Sequence, residues 1–213
     1  MRISDDGTIR LRSSNLKDAA AILASALFDD PMAVFIFPDS AERRALLPGI
    51  YMLDIEKALL AGEVYTTSSL NGISVWLSKG SLPARAGEKI RDVRKCLALE
   101  IGDGPSGRLA ICETHIDDLH DRVVQGNHCY LLTLGIEPPQ QGKGIGGRLL
   151  KPVLAKADKN GWDCYVETMN RRNLEFYSGH GFTVKGGVQV PGGGPYIWAL
   201  VRSAVPRVVE ARD

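Results

Sequence analysis

The chain contains Cys129-Tyr-Leu-Leu-Thr-Leu-Gly-Ile136, then Glu137-Pro-Pro-Gln-Gln141, then Gly142-Lys-Gly-Ile-Gly-Gly147. The first segment is a nearly continuous apolar run, which is typical of a central strand that is buried on both faces. The two prolines end this strand, and the glycines lead into a helix predicted over about residues 145–159. This succession of strand, glycine-rich turn and helix indicates a protein of the α/β class.

The segments on either side also carry strand and helix patterns. Asn71-Gly72 is a strong hairpin signal between two short strands, and Asp29-Asp30-Pro31 is expected to stop the first helix. Strands are predicted at 8–12, 63–67, 72–77 and 163–169, with two more around 191–195, and helices at 19–27, 40–61, 84–100, 106–123 and 172–179. No repeat or linker interrupts the pattern, so we predict one domain over residues 1–213.

Composition excludes several classes of protein. The net charge of the 213 residues is +1 and the basic residues are scattered, so we expect neither nucleic acid nor a membrane as partner. No apolar run reaches the ~20 residues of a membrane span, and no signal peptide is evident, so a cytoplasmic location is predicted. The widely spaced cysteines fit neither a metal site nor a disulfide framework, and we expect buried, reduced thiols at Cys96, Cys112, Cys129 and Cys164.

The glycine-rich turn has the properties of an anion site. Backbone N–H groups at the start of a helix point towards the ligand, and Lys143 adds a positive charge. A Walker phosphate loop is excluded because Gly144 follows the lysine and Glu137 stands where the first glycine is required. A dinucleotide fingerprint fits Gly142, Gly144 and Gly147, but it begins six residues past the strand, after two prolines. A third pattern, Gln-x-x-Gly-x-Gly, fits Gln141, Gly144 and Gly146.

A second motif, Glu167-Thr-Met-Asn-Arg-Arg-Asn-Leu-Glu-Phe-Tyr-Ser-Gly-His-Gly-Phe182, follows the next predicted strand. Together with the glycine turn, it resembles the GNAT acetyltransferase superfamily over about residues 128–185. Asn170 and Tyr177, with Gly181-Phe182, stand at the spacings of that family. The resemblance implies a central mixed, mostly antiparallel sheet of about six or seven strands flanked by helices. It also implies acetyl-coenzyme A as cosubstrate and no metal.

A narrower likeness concerns short pieces along the chain. They resemble the puromycin N-acetyltransferase branch, which acetylates small molecules, and they include Val75-Trp76-Leu77, His128-x-Tyr130-Leu131, Leu150-x-Pro152, Arg172-Asn173 and Phe176-Tyr177. The segments 31–61 and 84–127 show no such match. Because the family varies its substrate pocket there, these segments are predicted to form the acceptor pocket.

The resemblance assigns roles to individual residues. Tyr177 is predicted to be the general acid, since a phenol with a pKa of ~10 stays protonated at neutral pH and can reprotonate the leaving thiolate. Backbone groups near Ile136 are expected to bind the pantetheine arm and polarise the thioester carbonyl. Either Asn170 or Asn173 could contact the coenzyme or simply cap the following helix. The predicted coenzyme-binding residues are Leu134, Gly135, Ile136, Gln141, Gly142, Lys143, Gly144, Ile145, Gly146, Gly147, Asn170, Asn173, Phe176 and Tyr177.

The general base and the acceptor are less determined. Glu167 lies on an otherwise apolar strand, where burial raises the pKa of a carboxyl, but it could equally bind an arginine or backbone N–H groups. His128 is a second candidate, and a base acting through ordered water is a third. No acidic groove is legible in the sequence, so a small-molecule amine is expected without a narrower class. A protein acceptor, a coenzyme sensor without turnover, and the oligomeric state stay open.

Overall fold

The computed structural model describes residues 7–78 and 101–205. Seven strands lie in these ranges: β1 (Thr8–Arg10), β2 (Gly62–Thr67), β3 (Gly72–Ser78), β4 (His128–Ile136), β5 (Asp163–Thr168), β6 (Thr183–Gln189) and β7 (Tyr196–Arg202). Six α-helices lie there as well: α1 (Leu16–Ala26), α2 (Pro31–Ile36), α3 (Ser40–Ala61), α4 (Asp103–Val123), α5 (Ile145–Asn160) and α6 (Asn173–Ser178). Short 3₁₀ turns occupy Ser13–Asn15 and Pro138–Gln140. The helix predicted at 84–100 lies outside the described residues.

The seven strands form one sheet in the order β1-β2-β3-β4-β5-β7-β6. Every neighbouring pair is antiparallel except β4 and β5, which run parallel and are joined through α5. The prediction of a mixed, mostly antiparallel sheet flanked by helices is therefore confirmed. The parallel pair places the glycine turn and the second motif next to each other.

Strands β4 and β5 separate part of the way along their length. They pair from His128 opposite Asp163 to Leu131 opposite Val166, although β4 continues to Ile136. At the same point Val75 of β3 pairs with Thr133 and Trp76 pairs with Leu131, which leaves one extra residue in β4. Such a bulge bends a strand and increases its twist. The sheet consequently opens between β4 and β5 beyond their last paired residues.

Helices cover both faces of the sheet. One buried cluster joins Leu131 and Val166 to the apolar side of α5 and to α6, while Tyr165 packs against α4 through Cys112 and Leu119. Helices α1 and α3 pack over β2 and β3 on the α4 side. Cys112, Cys129 and Cys164 are buried and free, as the sequence predicts for them. No helix in residues 7–78 and 101–205 is long and apolar enough to cross a bilayer.

Two local predictions differ from the structure. The first helix ends at Ala26, next to its predicted end at Leu27, but Pro31, which was interpreted only as part of the stop signal, is also the first residue of α2. Asp30 caps α2 by accepting a hydrogen bond from the Met32 N–H at 3.0 Å, and proline suits this position because its missing N–H is not needed there. The first strand is also shorter than predicted, because a 3₁₀ turn begins at Ser13.

Candidate active site

A cavity of about 510 Å³ lies where β4 and β5 separate. Residues 130–134 of β4 and 166–169 at the end of β5 line it on the sheet side. Helices α2, α3 and α4 supply the opposite wall. This volume is in the range of ordinary small-molecule sites.

The cavity reaches both faces of the sheet. Successive residues of a strand point to opposite faces, and both Val166 and Glu167 of β5 line the cavity. Val166 belongs to the cluster beneath α5 that also contains Tyr177. Glu167 is two residues beyond Tyr165, which packs on the α4 side. Two ligands entering from opposite faces could therefore meet in the opening between the strands.

Tyr177 projects from α6 into this cavity and is only 5% exposed. Burial, followed by the charges of Asp30 and Glu167, raises the pKa of its phenol above the ordinary value of 10. The hydroxyl therefore stays protonated throughout the neutral range. This is the state that a proton donor requires.

Glu167 faces the cavity from the opposite side of the sheet. Burial raises the pKa of its carboxyl to about 8, although the nearby hydroxyls of Tyr165 and Tyr130 lower it in part. Its Oε1 atom is buried and makes no hydrogen bond of good geometry within the described residues. A carboxyl with such a pKa can accept a proton near neutral pH and is a strong enough base to be useful.

His128 lies apart from these two groups. Its side chain is 1% exposed and is not among the residues that line the cavity. One ring nitrogen, Nδ1, is 2.9 Å from the Gly126 carbonyl oxygen, and Nε2 is 2.7 Å from Nε2 of His120. The His120 ring in turn stacks on Tyr165 at a centroid distance of 4.2 Å. The structure thus brings Glu167 and Tyr177 together at the cavity and places His128 behind Tyr165.

The glycine turn has the geometry of an anion cradle. Gly142 and Gly144 have φ angles of +75° and +73°, a backbone conformation that residues with a Cβ atom rarely adopt. The first hydrogen bond of the helix runs from Arg148 N–H to the Gly144 carbonyl. The N–H groups at residues 145–147 therefore have no partner inside the helix. Together with the positive end of the α5 dipole, they favour a bound phosphate.

Side chains around the turn hold it in place. Gln141 Nε2 donates to the Ile136 carbonyl at 3.0 Å, and Lys143 Nζ donates to Gln140 Oε1 at 3.0 Å. A Cβ atom at Gly147 would lie 2.6 Å from Nε2 of His180, so this glycine lets α5 approach the chain that follows α6. Gln141 therefore stabilises the turn, while the backbone amides stay open to a ligand.

Some of the remaining predicted coenzyme-binding residues line the cavity, and others do not. Leu134 and Asn173 line the cavity, and Asn173 Nδ2 also donates to Thr168 Oγ1 at 3.1 Å. Asn170 does not line it, and its Oδ1 accepts a hydrogen bond from the Arg172 N–H at 3.1 Å. The structure thus gives the two asparagines different positions. Phe176 and Gly135 serve packing, against Gly146 of α5 and Leu23 of α1 respectively.

Sequence reasoning missed the acidic wall of the cavity. The carboxyl groups that line it besides Glu167 are those of Asp30, Asp54, Glu113 and Asp117. Asp54 follows Leu47, Ile50 and Tyr51 at helical spacing, and all four residues face the cavity. That periodicity was present in the sequence and could have placed Asp54 on the inner face of α3. Groups of three or more metal-ligating side chains are absent from the described part of the chain.

Part of the chain is similar to a known family of sequences. Residues 88–182 match the Acetyltransferase (GNAT) family, and this range includes the glycine turn and the second motif. A curated relative, an uncharacterized N-acetyltransferase of Schizosaccharomyces pombe, is 26% identical over 182 residues, or 81% of this chain and 72% of the relative.

Comparison with solved structures gives the same fold. An acetyltransferase structure from Corynebacterium glutamicum, described as histone acetyltransferase HPA2 and related acetyltransferase, has a TM-score of 0.64 at 18% identity. The alignment covers 94% of this chain and 98% of that one. The polyamine N-acetyltransferase of Drosophila melanogaster, which forms N-acetylagmatine, has a TM-score of 0.59 at 13% identity, covering 92% and 98% of the two chains.

Proposed function

Because residues 88–182 match the Acetyltransferase (GNAT) family, we propose that the chain is a member of this family and transfers an acetyl group directly from acetyl-coenzyme A to an amine of a small molecule. The observation that carries this proposal is the cavity at the β4–β5 opening. Tyr177 lines it from one side and Glu167 from the other. The cavity therefore has a protonated acid, Tyr177, on one side and a weak base, Glu167, on the other.

The chain's own residues fit the coenzyme. We assign the pyrophosphate to the N–H groups of residues 142–147, where positive φ angles at Gly142 and Gly144 keep the backbone accessible. The pantetheine arm then follows β4, whose edge beyond Leu131 is not paired with β5. Backbone N–H and C=O groups on such an edge can bind an extended amide chain as a further strand would. Leu134 and Asn173 lie at the end of this path, inside the cavity.

The reaction requires two proton transfers. Glu167, directly or through a water molecule, accepts the proton of the attacking amine, whose nitrogen forms a bond to the thioester carbonyl carbon. A backbone N–H of the open β4 edge stabilises the negative charge that develops on the carbonyl oxygen. The carbon–sulfur bond then breaks, and the Tyr177 hydroxyl donates its proton to the departing thiolate. The raised pKa of each group agrees with its assigned role.

The acceptor enters from the α3 and α4 side in this proposal. The wall on that side comes from residues 32–57 and 101–117, within the two segments that lack the family motifs. The Drosophila melanogaster polyamine N-acetyltransferase has the same fold, and this supports a small amine as acceptor. The short sequence pieces shared with the puromycin N-acetyltransferase branch point to a small molecule as well.

Calorimetric titration of the purified protein with acetyl-coenzyme A tests the coenzyme site. We expect a saturable one-to-one binding isotherm and a rise in melting temperature, since a ligand that binds the folded state stabilises it. NAD provides the comparison, because the glycines at 142, 144 and 147 also satisfy a dinucleotide pattern. Stabilisation by NAD and not by acetyl-coenzyme A contradicts the proposal.

A further inference from the structure

Helix α2 forms part of the wall of the proposed acceptor pocket. Met32, Ala33 and Ile36 of this helix line the cavity. Phe35 packs on another side, where a Cβ atom at Gly194 would lie 3.2 Å from its Cζ. Helix α2 has only six residues, fewer than the ~12–15 that an isolated helix needs to be stable in water. Its position therefore depends on its contacts with neighbouring elements.

Two arginines bind the carbonyl groups at the end of α2. The last carbonyls of a helix have no partner within the helix, and here they accept hydrogen bonds from other elements. Arg43 of α3 donates through Nη1 to the Phe37 carbonyl at 2.6 Å. Arg108 of α4 donates through both Nε and Nη2 to the Ile36 carbonyl, at 2.9 and 2.7 Å. A guanidinium group at this end of a helix also interacts favourably with the helix dipole.

The two arginines differ in the elements that they hold together. Arg43 is buried and lies six positions from its carbonyl partner, so it stabilises the local turn between α2 and α3. Arg108 lies 72 positions from Ile36 and links α2 to α4. Ser106 and Leu109, close to Arg108 on α4, line the cavity, whereas Arg108 does not. Arg108 therefore joins two walls of the cavity from outside it.

Apolar contacts between α2 and α4 are less directional than this link. Met32 and Phe35 of α2 share a buried cluster with Cys112 and Ile116 of α4. The hydrophobic effect is non-directional, so such contacts allow one helix to tilt or slide on the other. A hydrogen bond requires a donor–acceptor distance of about 2.7–3.2 Å. The paired hydrogen bonds of Arg108 therefore fix the separation of the two helices at this point.

The separation of α2 and α4 determines the width of the cavity, because both helices line it. We propose that Arg108 is a positioning residue that limits the size of the acceptor, by holding α2 against α4 through the Ile36 carbonyl. Without this contact, α2 moves away from α4 and larger amines enter. This inference rests on the proposed acetyltransferase function and names a residue that determines acceptor specificity at the same site.

Hydrogen–deuterium exchange of the purified protein, followed by mass spectrometry, measures how firmly α2 is held. We expect Arg108→Ala to speed exchange of the amides of residues 32–37 about tenfold, the usual effect of losing one charge-assisted contact. Residues 145–160 of α5 should exchange at the wild-type rate. This difference distinguishes local release of α2 from a general loss of stability.

Two amines of different length test the effect on acceptor size. Initial rates of coenzyme A thiol release are measured with butylamine and with octylamine, at saturating acetyl-coenzyme A. Arg108→Ala should raise the ratio of kcat/KM for octylamine to that for butylamine about tenfold relative to wild type. The Kd for acetyl-coenzyme A should stay within about twofold, because Arg108 does not line the cavity.

Arg122→Ala is the matched control. Arg122 also lies on α4, but its Nε donates to a carbonyl of the same helix, that of Asp118, at 3.1 Å. This variant should have the exchange rates and the amine ratio of wild type. Arg108→Lys should give values between those of wild type and Arg108→Ala, since an ammonium group keeps the charge but not the fork of two donors. Melting temperatures show whether each variant is folded, and Arg108→Lys decides the question if Arg108→Ala is not.

The outcomes separate the two proposals. Wild-type exchange over residues 32–37 in folded Arg108→Ala, an unchanged amine ratio, or a loss of kcat/KM by the same factor for both amines overturns the inference and leaves acetyl transfer in place. Turnover of no amine in a broad panel, with acetyl-coenzyme A bound, contradicts the proposed function. The exchange rates then decide separately whether Arg108 holds α2.

Discussion

The sharpest consequence of the structure concerns the pH dependence carried by Glu167. Burial raises the pKa of its carboxyl to about 8, so the group is mainly protonated at pH 7 and mainly ionised at pH 9. With one titrating group, the ionised fraction is about one in eleven at pH 7 and about ten in eleven at pH 9. If the carboxylate is the base, its contribution to kcat/KM should rise about tenfold over this interval.

The measurement must remove the titration of the amine, whose own pKa is near 10. At each pH, kcat/KM is therefore measured for wild type and for Glu167→Gln, and the ratio of the two values is calculated. The amine ionises identically in both reactions, so its contribution cancels. The ratio should climb about tenfold between pH 7 and pH 9 and reach roughly 100 or more at the plateau, the usual size of general base catalysis.

Glu175→Gln serves as the control, since Glu175 is exposed on α6 and does not line the cavity. Its ratio to wild type should stay near one at every pH. A ratio for Glu167→Gln that does not change with pH, or that has its midpoint near the ordinary carboxyl value of 4.5, refutes the reasoning.

Further expectations concern other elements of the site and fold. Tyr177→Phe should lower kcat about 100-fold and change the Kd for acetyl-coenzyme A less than about threefold. Tyr196→Phe, at an exposed tyrosine, should leave both values unchanged. Steady-state kinetics measures kcat, and calorimetry measures Kd. Gly144→Ala places a Cβ atom at a φ of +73° and should weaken coenzyme binding about tenfold, measured by titration. Gly107→Ala lies within α4, where a Cβ atom meets nothing within 4 Å, and should raise the free energy of unfolding by about 0.5–1 kcal/mol in urea. Burial disfavours the ionised form of Glu167 in the folded state. The free energy of unfolding of wild type should therefore fall relative to that of Glu167→Gln as the pH rises from about 4.5 through 8, and thermal melts at a series of pH values check this.

The glycine turn and the helix that carries Tyr177 could be predicted from the sequence, because local patterns specify both. A strand that ends in prolines and a run of glycines required a turn with positive φ angles, and Gly142 and Gly144 have them. The spacing from Asn170 to Gly181-Phe182 predicted the short helix that carries Tyr177. Patterns of this kind lie within about ten residues of chain. The mixed, mostly antiparallel sheet was predicted from the family resemblance, whereas the order of its strands was not predicted.

The proposed acceptor side of the cavity depends on contacts between distant segments, and local patterns do not specify it. Asp30, Asp54 and Asp117 stand far apart in the chain, and they share a cavity because the helices that carry them, α2, α3 and α4, form its wall opposite the sheet. Helix α2 was missed for a related reason, since Pro31 signals either the end of one helix or the first turn of another. The position of His128 behind Tyr165 likewise follows from packing between α4 and the sheet.

Acetylation of a small amine by the purified protein is the most direct test of the central claim. Acetyl-coenzyme A is incubated with a panel of primary amines, free coenzyme A thiol is followed over time, and each amine is examined by mass spectrometry. The account predicts thiol release in step with the appearance of a singly acetylated amine, and loss of both in the Tyr177→Phe, Glu167→Gln double variant. Binding of acetyl-coenzyme A without acetylation of any amine, or thiol release without an acetylated product, contradicts it.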